Sequence, residues 1–91
     1  MTDGEIRSQF LRLVAEHLTG EETPSLVRCD THHHPEIIIL HLSWVCDGRD
    51  YGLAEGVTRF DLEHANFPLL EEKVEAMVAK ARRGGALETR H

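Results

Sequence analysis

Apolar residues recur along this chain with two different periods. Ile6, Phe10, Leu13, Val14 and Leu18 fall three or four apart, which is the spacing of one helix face, and predict a helix over residues 3–19. Thr2 and Glu5 have the spacing of a capping box, with Asp3 as a competing cap, and Gly20 is a natural stop. A short polar connection, residues 21–24, follows.

From Leu26 to Phe60 the period shortens to two. Residues 27–31 form a brief β-like run, and Ile37 to Cys46 a longer one rich in β-branched residues. His32, His33, His34 and Pro35 interrupt them, because proline cannot donate to a sheet ladder. Asp47 to Asp50 reads as a tight hairpin turn with Gly48 and Arg49 at its centre, and residues 51–60 as the third strand.

Helical spacing then returns. Asp61 is read as a cap, and Asn66-Phe67-Pro68 as a second start. Leu70, Val74, Met77, Val78 and Ala81 form the next stripe, with Glu71, Glu72 and Glu75 early and Lys80, Arg82 and Arg83 late, as the helix dipole favours. Gly84-Gly85 closes the helix. The expectation is one α+β domain over residues 1–85, ordered α-β-β-β-α, and a flexible tail at 86–91. The strands form a three-stranded antiparallel meander with both helices packed on one face.

Alternation assigns the two faces of that sheet. Ile38, Leu40, Leu42, Trp44 and Cys46 point to the helices with Val27, Tyr51, Leu53 and Val57, so that Phe10, Val14, Leu40, Leu42, Trp44, Val74 and Met77 share one core. The opposite face carries Ile37, Ile39, His41, Ser43 and Val45. Three of these five are β-branched aliphatics where a solvated antiparallel face would be polar. Gly52, Ala54, Gly56 and Thr58 lie beside them and leave a shallow groove. The predicted interface is therefore Ile37, Ile39, His41, Val45, Gly52, Ala54 and Gly56.

The segment from Cys29 to Cys46 holds two cysteines and four histidines, which invites a metal site. Hairpin pairing that sets Cys29 opposite Ile38 leaves Cys46 eight residues further along, at about 3.3 Å per residue far beyond both a zinc sphere and a disulfide. His41 differs from Ile38 by an odd number and faces away from Cys29. The histidine turn is left with at most weak ligands, and no metal, cofactor or catalytic residue is assigned.

Composition narrows the remaining classes. The chain has 91 residues, a formal net charge of −6, and eight arginines to two lysines. Such a charge opposes non-specific binding to nucleic acid or anionic membrane. No apolar run is long enough to cross a bilayer. The acidic start lacks the pattern of a signal peptide, which predicts a cytoplasmic protein with free thiols. There is no phosphate-binding glycine loop and no nucleophile elbow.

The α-β-β-β-α order resembles that of the double-stranded-RNA-binding domain, whose second helix presents lysines to phosphate. The corresponding stretch here, from Asp61 to Glu75, carries five acids against Lys73, so the resemblance extends to topology and excludes that activity. In size and charge the chain also resembles acidic phage-encoded inhibitor proteins. The reading that follows is a non-enzymatic protein-binding module, a homodimer formed through the outer sheet face. The alternatives are a ligand- or metal-responsive domain built on the histidine turn, or a phage-type acidic inhibitor.

Overall fold

The computed structural model describes residues 2–65 and 67–84. The first helix, α1, spans Asp3–His17. The capping box forms as its spacing predicts: Thr2 Oγ1 accepts from Glu5 N at 3.1 Å, and Glu5 Oε1 accepts from Thr2 N at 3.4 Å. The other end differs from expectation. Leu18 is the C-cap in an extended conformation (φ −89°, ψ 144°), with its N–H still bonded to the Val14 carbonyl, so the helix stops without a left-handed residue and before Gly20. Thr19 and Glu22 then close a tight turn, in which Glu22 N donates to Thr19 O and Thr19 N to Glu22 Oε1.

Three strands follow: β1 (Thr23–Asp30), β2 (Ile37–Cys46) and β3 (Arg49–Thr58), in the order β1-β2-β3 and antiparallel throughout. β1 starts earlier than the apolar run suggested and includes Pro24. An edge strand tolerates that residue, and the register slips between Pro24 and Leu26 around the extra Ser25. Both registers also differ from expectation by two residues. Cys29 faces Leu40, not Ile38. The second hairpin turns on Asp47-Gly48, not on Gly48-Arg49, and pairs Cys46 with Arg49. Asp47 and Gly48 both have positive φ (53° and 72°), as a type I′ turn requires, and Asp-Gly is the dipeptide best suited to it.

Two helices follow: α2 (Arg59–Ala65) and α3 (Phe67–Gly84). The α2 cap is Thr58, whose Oγ1 accepts from Asp61 N at 3.1 Å; Asp61 lies inside the first turn and is not itself the cap. Asn66 and the expected tail at 86–91 lie outside the described residues.

A slip of two residues preserves alternation, so the faces stand as predicted. Ile38, Leu40, Leu42 and Trp44 are fully buried with Phe10, Val14, Leu62, Leu70, Val74 and Met77 in one cluster between sheet and helices. Val27, Cys46, Tyr51 and Leu53 pack at its margin. Trp44 stacks on Tyr51, its cross-strand neighbour, with ring centroids 5.7 Å apart.

Candidate functional site: the outer sheet face and the histidine turn

The residues of β2 that alternate with the core set form the middle of the outer face. Pairing places Ile37 beside Thr58, Ile39 beside Gly56, His41 beside Ala54, Ser43 beside Gly52 and Val45 beside Asp50. The predicted residues therefore lie together. Ile37, Ala54 and Gly56 are exposed, while Ile39, His41, Val45 and Gly52 are half-buried.

β1 contributes more than alternation along β2 alone indicated. Leu26 pairs with Ser43, Arg28 with His41 and Asp30 with Ile39. Leu26 is 42% exposed and Ile37 37%, and they are the two large hydrophobic side chains this face presents most openly. Placing Val27 toward the core already turns Leu26 and Arg28 outward, so these two were recoverable from the sequence. Arg28 Nη2 donates to His41 Nε2 at 3.5 Å. A guanidinium can only donate, so the ring nitrogen is the acceptor in this contact.

The glycines of the groove have different causes. A Cβ on Gly52 would lie 2.5 Å from Leu42 O and 2.9 Å from Ser43 Cα, both backbone atoms. Close approach of β2 and β3 thus requires glycine at this position. A Cβ on Gly56 would lie 3.2 Å from Ile37 Cγ2, so the isoleucine leans over the space Gly56 leaves and makes the surface flatter.

The histidine turn is tied to the protein at several points. Asp30 Oδ1 accepts from the backbone N–H of His32 and of His33, both at 3.1 Å, and these bonds hold its carboxyl below the usual range. His34 Nδ1 accepts from Glu36 N. Arg59, which sequence patterning did not single out, reaches across the fold. Its Nε donates to Pro35 O, Nη2 to Thr31 O and Nη1 to Asp3 Oδ1 at 2.7 Å, while its backbone N donates to Glu36 O. The Asp3 carboxyl is lowered chiefly by this hydrogen bond. Arg59 thereby joins the turn to the start of α1 and of α2.

Among the described residues no three His, Cys, Asp or Glu side chains are grouped to hold a metal ion. Cys29 and Cys46 are both free thiols. With Cys29 opposite Leu40, Cys46 lies six residues along β2, about 20 Å away. Burial pushes the Cys29 thiol up to about 11 against a smaller opposing pull from Arg7. Burial, followed by the charges of Asp47, Glu22 and Glu21, raises Cys46. Both are protonated at neutral pH and poorly suited to nucleophilic attack.

Two further ion-pair groups tie α3 to β3 and to the turn before β1. Glu55 sits on the helix-facing side of β3, and both lysines of the chain converge on it from α3, Lys73 at 3.5 Å and Lys80 at 3.3 Å. Glu22 makes a two-pronged contact with Arg82, whose Nη2 also donates to His17 O. That contact lowers the Glu22 carboxyl to about 2. No helix among the described residues is long and apolar enough to cross a membrane. Comparison of the chain with protein-family models, curated proteins and solved structures gives no match.

Proposed function

We propose that this protein is a small non-enzymatic protein–protein interaction module that self-associates through the outer face of its sheet. The observation that carries the reading is the aliphatic row on that face. Leu26, Ile37, Ile39 and Val45 share that face with the small residues Ala54 and Gly56 where a face left to solvent would be polar. Close packing of a second surface needs few projecting side chains, and the outer side of β3 offers Gly52, Ala54 and Gly56. Burial of apolar area at about 25 cal/mol per Å² would drive association, offset in part by lost rotational and translational freedom. Arg28 and Asp30 bring opposite charges to the same face, which suits an interface that must match a rotated copy of itself.

A cytoplasmic setting is part of the proposal and is supported by the two free cysteines. Binding to nucleic acid is not part of it, given the net charge of −6. Sedimentation equilibrium tests the reading. The expected species has twice the chain mass of 10.3 kDa and dissociates when Ile39 is replaced by Lys. A wild-type monomer at high concentration would refute self-association.

A further inference from the structure

The free edge of β1 borders a surface cleft of ≈ 440 Å³ lined by Arg7 from α1, by Arg28, Cys29 and Asp30 from β1, and by His32 from the turn. The direction of the main chain along this edge follows from the register. Cys46 and Arg49 flank a two-residue type I′ turn and so form a hydrogen-bonded pair. Alternation then gives the even-numbered residues of β2 to β3 and the odd-numbered ones to β1. Ser43, His41 and Ile39 thus bond Leu26, Arg28 and Asp30, and the N–H and C=O groups of Val27 and Cys29 point away from the sheet. The Thr31 carbonyl, just past the end of β1, accepts from Arg59 Nη2.

The open edge is short. The irregularity at Ser25 bounds one end and the Arg59 contact at Thr31 the other. Backbone pairing alone therefore offers an added strand only the groups of two residues, and selectivity must come from the side chains lining the cleft. These are basic in an otherwise acidic chain. Arg7 and Arg28 stand against Asp30, whose Oδ1 is already engaged by the amides of His32 and His33.

We infer that an extended peptide segment carrying a carboxylate side chain adds to the free edge of β1 between β1 and α1, with the carboxylate beside Arg7 and Arg28. Main-chain bonds to Val27 and Cys29 align the segment, and the arginines select its charge. The site adjoins the self-association face, with which it shares Arg28 and Asp30, while Arg7 belongs to the cleft alone.

The test is an NMR titration of ¹⁵N-labelled protein with an end-blocked peptide of alternating Thr and Val bearing one central Glu, and with the same peptide bearing Gln. The Glu peptide should shift the amides of Val27 and Cys29 and bind about tenfold tighter than the Gln peptide. Arg7→Ala should abolish that difference, and Arg7→Glu should turn the preference toward a central Lys. A circular dichroism spectrum like that of the wild type shows that either variant is folded. Equal affinity of the Glu and Gln peptides for wild type, shifts confined to β3, or no shift at millimolar peptide would each overturn the inference.

Discussion

Glu22 shows how much a single residue can contribute where it joins three parts of the fold. Its side chain is only 9% exposed and meets the Arg82 guanidinium, while Thr19 N donates to the same carboxylate. A charged hydrogen-bonded group of this kind contributes about 1.5–3 kcal/mol, toward the lower end here because Arg82 is 42% exposed. The folded carboxyl titrates at about 2 and an ordinary one at 4.5, so the contribution is complete above the higher value and lost as pH falls from 4.5 toward 2. Glu22→Gln should lower stability at pH 7 and flatten the loss between pH 5 and pH 2, as measured by urea denaturation at several pH values. An unchanged acid limb would show that Glu22 does not carry it. Gly52 makes a separate case. Gly52→Ala forces backbone apart at Leu42 and Ser43 and should cost about 1–3 kcal/mol. A stability equal to wild type would mean that this glycine serves only an external contact.

At the scale of elements, periodicity revealed what alternation and helical spacing encode, and missed what depends on contacts distant in sequence. The two faces of β2 were legible because a slip of two residues leaves every side chain on its own side. The slip itself was not. The turn settled on Asp47-Gly48 because both residues adopt positive φ there, and Arg49 would have been strained in that role. Thr58 displaced Asp61 as the α2 cap because α2 begins immediately at the end of β3. Arg59 gave no local signal, since its partners Asp3, Thr31 and Pro35 lie 24 or more residues away. Arg59→Ala should leave three acceptors without their donor and loosen the turn between β1 and β2. Amide hydrogen exchange at His32 to Glu36 should rise, with α3 unaffected; unchanged exchange would remove Arg59 from its anchoring role. Leu40→Ala, by contrast, cuts a cavity in the shared core and should cost about 2–5 kcal/mol by denaturant titration.

For the whole molecule, the helices and the turn contacts account for one side of the sheet and leave the other as the candidate working surface. The core side buries Ile38, Leu40, Leu42 and Trp44 of β2 completely, while the outer side holds Leu26 and Ile37 open to solvent. Phe60 is more exposed still, at 62%, but it stacks on His64 in α2 and is not among the outer-face residues of the sheet. The outer face was legible in the sequence along β2 and β3 and, through the inward Val27, at Leu26 and Arg28 of β1; the pairing that sets these beside Ser43 and His41, with Asp30 beside Ile39, was not. The central claim is that this face joins two copies of the chain. Sedimentation equilibrium of wild type and Ile39→Lys, with thermal unfolding of the variant, tests it most directly. The account predicts a wild-type mass near twice 10.3 kDa and a folded, monomeric variant. A monomeric wild type, or a variant that unfolds because Ile39 belongs to the core, would contradict it.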